Sequence, residues 1–346
     1  MSWTELVGHE PILERLRHAL AIGRLGHAFL FVGESGIGKR RLALELAQGL
    51  LCRHRPTREL APCGTCADCV QVAASTHPDV TQIAKPADKH ELPVQLIHGL
   101  CGSLGLKAAR GGHKIAIVDD ADLLTVESSN CFLKTLEEPP PQSVLILLAT
   151  SLESQLKTIV SRCQVMHFRS LTDAQVVSVL TSLELAPDED EARRMALWGN
   201  GSVGRAIQFS SDEWQLVRRL LHDHLSEKPL PSGTLTREVQ QFIDEAGKEA
   251  AARRERSRDV IRMAADFYRD CLRYQQAGMV HARDSDRAAV EQAAQLFDAE
   301  TLLDLMERCL QADFHIGRFL NQSLAVDCWI DDLAQLSAGH YVEPIN

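Results

Sequence analysis

Residues 28–39 read Ala28-Phe29-Leu30-Phe31-Val32-Gly33-Glu34-Ser35-Gly36-Ile37-Gly38-Lys39. Five apolar residues in a row, bounded by glycine, predict a strand buried on both faces. The glycines allow a tight loop, and a helical pattern opens at Arg40 and runs to Leu51. Strand, glycine loop and helix in this order are the setting of a phosphate loop, where backbone N–H groups curl round phosphate oxygens at a helix N-terminus. Gly33, Gly36, Gly38 and Lys39 are the candidate nucleotide contacts, with the Lys39 ammonium set against phosphate charge. One position departs from the pattern. The residue after the lysine should be Ser or Thr, whose hydroxyl binds Mg²⁺, and here Arg40 and Arg41 follow. A guanidinium cannot ligate a cation and adds positive charge at the metal position. ATP or ADP binding is compatible with such a loop; efficient Mg²⁺-dependent hydrolysis is not expected of it.

Working outward, short apolar runs recur at Asp79–Ile83, Ile115–Val118, Val144–Leu148 and Val165–Phe168, with helical patterns at Pro11–Ile22, Val94–Leu104 and Glu127–Leu136. This alternation predicts an α/β fold built on a parallel sheet covered by helices. The run Ile115–Val118 ends in Asp119-Asp120-Ala121-Asp122, as a Walker B strand ends in carboxylates. Asp119 is placed to help hold Mg²⁺. Asp120 stands where a hydrolysing enzyme carries Glu, and its side chain is one methylene shorter. An alternative reading is a solvated acidic turn that caps the next helix. Beyond residue 170 the strand patterns stop, Thr172 is a candidate N-cap, and a break at Gly199–Ser202 separates further helical patterns. The expected organisation is an α/β domain over 1–169, a small helical domain over 170–211 and an all-helical domain over 212–346.

Composition narrows the function classes. The chain has 346 residues, 45% hydrophobic and 24% charged, with a formal net charge of −10. Residues 1–170 hold 18 basic and 17 acidic side chains, against 19 and 30 in residues 171–346. An acidic balance argues against a stand-alone binder of nucleic-acid backbone. The N-terminus, Met1-Ser2-Trp3-Thr4-Glu5, lacks the basic and apolar segments of a secretory signal, and no apolar run approaches the roughly 20 residues of a membrane helix. No membrane association and a cytoplasmic location are therefore expected.

Cys63-Gly64-Thr65-Cys66-Ala67-Asp68-Cys69 is a C-x₂-C-x₂-C run, with Cys52 eleven residues upstream of it. Four thiolates on a short loop, with Pro62 and Gly64 supplying tight turns, can close a tetrahedral structural Zn²⁺ site. An iron–sulfur cluster is the main rival. A nucleic-acid contact through Arg53, Arg55 and Arg58 is weaker, given the few aromatic residues. Cys101, Cys131, Cys271, Cys309 and Cys328 read as small buried hydrophobes.

Several further segments carry a resemblance. They are His27-Ala28-Phe29-Leu30-Phe31, His77-Pro78-Asp79-Val80, the run Asn130-Cys131-Phe132-Leu133-Lys134-Thr135-Leu136-Glu137-Glu138-Pro139-Pro140, Ser161-Arg162-Cys163 and Gly201-Ser202-Val203-Gly204-Arg205-Ala206. Together with the phosphate loop and the cysteine insert, they resemble the AAA+ clamp-loader family, and within it the delta-prime branch of bacterial DNA polymerase III. The resemblance is dense over residues 5–208 and rests on length and helical character beyond them. It implies an arginine finger at Arg162, acting in trans on a neighbour's ATP, with a surface salt bridge as the plain alternative. It also implies a sensor 1 position at Thr150 and a sensor 2 arginine at Arg205, which could equally meet an acidic neighbour in the lid. It implies a helical lid, an oligomerising collar and a hetero-oligomer with gamma/tau-type motor subunits and a delta subunit. That assembly would act on the sliding clamp and primer–template DNA. Arg40, Asp120 and an end after one collar favour delta-prime, with little or no ATPase of its own; the alternatives are a gamma/tau-type motor or an autonomous AAA+ ATPase. Phe132, Leu133 and Leu136 are expected in the core, and Lys134, Glu137 and Glu138 on a solvated or inter-subunit face.

Overall fold

The computed structural model describes residues 7–86, 89, 91–110, 112–278, 284–317, 321–340 and 342; the N-terminal pentapeptide read above lies outside them. The chain divides into two compact units, Met1–Ile207 and Gln208–Asn346.

In the first unit the elements run α1 (Glu10–Ala21), β1 (Ala28–Val32), α2 (Lys39–Leu51), α3 (Ala67–Ala73), β2 (Val80–Ile83), α4 (Val94–Gly105), β3 (Lys114–Val118), α5 (Val126–Glu137), β4 (Ser143–Ala149), α6 (Lys157–Val160), β5 (Gln164–His167), α7 (Asp173–Ser182), α8 (Glu189–Gly199) and most of α9 (Val203–Phe209). The five strands form one sheet in the order β2-β3-β4-β1-β5, and every pairing is parallel. β1 and β4 lie inside the sheet and are buried along their whole length, which is why they read as unbroken apolar runs. β2, at an edge, is half-buried throughout and mixes apolar Val80 and Ile83 with polar Thr81 and Gln82.

Alternate residues of each strand feed opposite faces. One face gathers Phe29, Phe31, Ile115, Ile117, Val144, Ile146 and Leu148 against α1 and α2. The other gathers Ala28, Leu30, Ala116, Val118, Leu145 and Leu147 against α4 and α5. Phe132 and Leu136 are buried in the second layer, and Leu133 packs against it. Truncating Phe29 or Leu30 would open a cavity, at a cost of about 2 to 5 kcal/mol.

Residues 171–206 form a separate apolar cluster of Leu171, Val176, Leu180, Ala192, Met195, Ala196 and Ala206. Thr172 does cap α7: its side chain accepts from the Gln175 N–H, and Gln175 reaches back in a capping box. Such caps satisfy helix N–H groups that would otherwise lack partners.

The second unit holds α10 (Asp212–Leu225), α11 (Ser232–Asp244), α12 (Ala250–Ala277), α13 (Asp284–Leu296), α14 (Ala299–Gly317) and α15 (Gln322–Ser337). Among its described residues there is no strand. Tyr268 and Trp329 are fully enclosed in it. One sequence expectation fails here: Cys271 and Cys309 are buried, but Cys328 is exposed on α15.

Candidate functional site

In a parallel sheet, loops that follow the strands share its C-terminal edge, where open α/β folds bind ligands. Gly33 follows β1, Asp119 follows β3 and Thr150 follows β4, and these three strands are neighbours. Three of the predicted nucleotide residues are therefore brought to one edge.

The phosphate loop's carbonyls are all taken by the protein. Lys39 Nζ donates to the Gly33 and Glu34 carbonyls at 2.5 and 2.6 Å. Ser202 Oγ donates to the Ser35 carbonyl at 2.8 Å, and the Gly204 N–H to that of Gly36 at 3.2 Å. His9 Nε2 lies 2.6 Å from the Ile37 carbonyl, and the Leu42 N–H donates to that of Gly38 at 3.0 Å. The Lys39 ammonium is buried, and burial lowers its pKa against the opposing pull of Asp122, Asp119, Glu34 and Asp120. Burial likewise lowers the pKa of His9, so its neutral ring is favoured and Nε2–H is the donor to Ile37.

Gly36 shows how closely residues 202–204 approach. Its φ is +76°, and a Cβ there would lie 2.5 Å from Ser202 Oγ and 2.8 Å from Gly204 Cα. Gly36→Ala should therefore cost about 1 to 3 kcal/mol in backbone strain alone, with the Ser202 and Gly204 contacts weakened besides. Urea denaturation should show the transition of the first unit at lower concentration; an unchanged midpoint would contradict this packing.

Arg40 lies at the position of the missing hydroxyl. Its guanidinium pairs with Asp119 at 3.5 Å and reaches Gln82 Oε1, also at 3.5 Å. A cation seated beside Asp119 would meet that positive charge, so these residues do not fit Mg²⁺. Asp120, in a left-handed conformation at φ 54°, accepts from the Lys85 N–H at 3.2 Å. Thr150 gives its N–H and its hydroxyl to Asp122 Oδ2 at 2.6 and 2.8 Å, and Ser154 and Gln155 bind the same carboxylate. Asp122 is thus the organiser of this strand end; its place three residues after Asp119 was the available sequence signal. Arg205 is half-buried on α9, with its N–H on Ser202 Oγ at 3.2 Å.

Arg162 belongs to the other edge. It lies just before Gln164, the first residue of β5, which is in register with Phe29 at the start of β1. About 13 Å of strand, four residues at roughly 3.3 Å each, separates that end from Gly33. Glu137, expected on a solvated or inter-subunit face, is exposed but engaged by Arg162 within the chain.

The cysteines form a second site. The sulfurs of Cys52, Cys63, Cys66 and Cys69 lie within 4.8 Å of one another, and those of Cys63 and Cys69 are 4.0 Å apart. A tetrahedron with Zn–S bonds of about 2.3 Å has sulfurs roughly 3.8 Å apart, so the four thiols can hold a metal ion. They do not all sit on a loop, as the spacing suggested. Cys66 is the N-cap of α3 and accepts the Cys69 N–H at 3.4 Å, as a serine cap would. The N–H groups of Thr65 and Cys66 hold the Cys63 thiol down at about 5, while burial pushes that of Cys69 up. Asp68, buried beside them, accepts from His77 Nε2 at 3.1 Å and pairs with Arg53 at 2.7 Å and with Arg110. Burial alone would raise its pKa, but Arg110, His77 and Arg53 hold it below the ordinary carboxylate value. Arg53 is thus already spent on Asp68.

Residues 8–172 match the family described as DNA polymerase III, delta subunit. The delta' subunit of DNA polymerase III from Escherichia coli is 33% identical over 224 residues, covering 64% of this chain and 66% of that protein. The delta' subunit from Pseudomonas aeruginosa is 37% identical over 161 residues, covering 46% of this chain and 44% of the relative. The family match and these relatives support the clamp-loader delta-prime family. The match within that family spans the sheet, the phosphate loop, the cysteine cluster and Arg162. The tau subunit of Escherichia coli is also similar, 30% identical over 213 residues, or 60% of this chain; the chain spans only 32% of that relative's length. The chain is thus similar to delta' and tau subunits alike. No helix among the described residues is long and apolar enough to cross a membrane.

Proposed function

We propose that this chain is a delta-prime-type subunit of the bacterial DNA polymerase III clamp loader. In this reading it supports ATP-driven loading of the sliding clamp onto primed DNA and has little or no ATPase of its own. The observation that carries it is the position of Arg162, partly exposed at the sheet edge opposite the chain's own phosphate loop. An arginine there cannot serve its own site but can face a nucleotide held by an adjoining gamma/tau-type motor subunit. Arg40 supports the second half of the reading, because its pairing with Asp119 fills the place of the metal that hydrolysis needs.

Residues 170–211 would act as the lid and residues 212–346 as the collar that joins the motor subunits and the delta subunit. Along α14, Leu303, Leu310 and Phe314 are each at least half exposed and follow helical spacing on one side, as an oligomer contact would. The clamp and primer–template DNA would be reached through the complex, in the cytoplasm. The four thiolates would hold a structural Zn²⁺ ion with no open coordination position.

Nucleotide binding and turnover of the purified chain, alone and then mixed with a motor subunit, test the reading. Weak nucleotide binding and no Mg²⁺-dependent turnover are expected of the chain alone. Turnover that Lys39→Ala abolishes would instead mark a gamma/tau-type motor or an autonomous AAA+ ATPase, the reading to which the tau similarity points.

A further inference from the structure

Arg162 is not extended. Its Nε and Nη2 both donate to Glu137 Oε1, at 2.9 and 2.5 Å, and Nη1 donates to the Thr158 carbonyl and to Ser161 Oγ, both at 3.1 Å. A guanidinium has five N–H donors in a fixed fork, so four are spent inside the chain. Both partners of the pair stay within reach of a neighbour: the side chains of Arg162 and Glu137 are 34% and 51% exposed.

Glu137 is the last residue of α5. A carboxylate at a helix C-terminus meets the negative end of the helix dipole, a placement that disfavours it by itself. Arg162 offsets that repulsion, and Glu137 together with the helix end makes a negative pocket for the guanidinium. Glu138 follows without any such contact among the described residues, and Pro139 stops the helix.

We infer that Glu137 is an electrostatic latch on Arg162: it holds the guanidinium against its own chain until the phosphates of a neighbouring subunit's nucleotide displace it. This deepens the trans-acting reading of Arg162 and rests on it. The latch is built to yield. An exposed ion pair holds weakly because water screens it, whereas a polyphosphate offers more charge and a bidentate acceptor for the same fork. Part of the binding energy of the incoming nucleotide is then spent on releasing Arg162, so subunit contact and nucleotide occupancy must coincide before the finger engages.

The test uses the full chain assembled with its motor subunits, with ATP turnover measured across ATP concentrations. Glu137→Gln keeps the size of the side chain and removes its charge. It should raise turnover at low ATP about two- to fivefold, the range an exposed pair supports, by lowering KM with kcat nearly unchanged. Glu137→Ala should act in the same direction. Adding Arg162→Ala to either variant should erase the gain. If Arg162→Ala lowers turnover while both Glu137 variants leave it unchanged or reduce it, the latch is wrong and the trans-acting arginine stands. If Arg162→Ala has no effect, both ideas fail together.

Discussion

Replacing Arg162 with alanine should slow ATP cleavage at the adjoining motor site about 10³- to 10⁵-fold, the contribution of arginine fingers where they have been measured. In barrier terms that is roughly 4 to 7 kcal/mol at about 1.4 kcal/mol per tenfold. The stability of the chain should hardly change, because the ion pair lost among the described residues is the partly exposed one with Glu137, and such pairs contribute about 0 to 1 kcal/mol. This contrast between a large kinetic effect and a small structural one is the signature to look for. Arg162→Lys should not restore the rate, since an ammonium lacks the planar fork that spans two phosphate oxygens. The measurement is single-turnover cleavage at the motor site in contact with this chain, because total turnover of the ring falls only by that site's share. Wild-type cleavage by the variant complex would exclude a catalytic role for Arg162 in trans.

The boundary between what the sequence discloses and what it hides follows the range of the interactions. β1 and β4 are central strands, so their burial on both faces writes itself as apolar runs, and the glycines after β1 mark the loop. Arg40 against Asp119 was also foreseeable, since one charge replaces a metal beside the same carboxylate. Long-range choices were not. Thr150 looked free to sense a nucleotide, but 28 residues earlier lies Asp122, which captures it. Asp120 looked like a shortened base, yet its left-handed backbone turns it toward Lys85. Neither backbone handedness nor the partner of a carboxylate is encoded in local spacing. The same holds for Glu137 and Arg162, joined across 25 positions. The cysteine cluster erred in the opposite sense, since Cys66 is itself the cap that nucleates α3, a role normally assigned to oxygen side chains.

The purified chain should carry about one Zn²⁺, and Cys63→Ser combined with Cys66→Ser should abolish binding. Structural zinc contributes apparent free energies of about 10 to 16 kcal/mol in zinc-finger peptides. Here part of the surrounding structure should fold without the ion, because α2 and the sheet have their own core. The loss should therefore begin within residues 52–69 and spread along contacts that can be traced. Gln48 Nε2 holds the Cys69 carbonyl at 2.8 Å. Leu60 is fully buried, close enough to Gly49 that a Cβ there would meet it at 3.1 Å. Asp68 ties the cluster to His77, and His77 Nδ1 accepts the Asp79 N–H at 3.0 Å at the entrance to β2. Asp79 in turn accepts the Ala109 and Arg110 N–H groups at 2.7 and 3.1 Å, ahead of β3. Release of the ion should thus free Leu60 and Asp68 and raise amide exchange through residues 52–80, while β1 and β4 stay protected. Acid should act like a chelator, since protonated thiols do not bind the metal. Elemental analysis finding iron would replace the zinc reading with a cluster, and finding no metal, with exchange unaltered in the double serine variant, would leave the four thiols as packing alone.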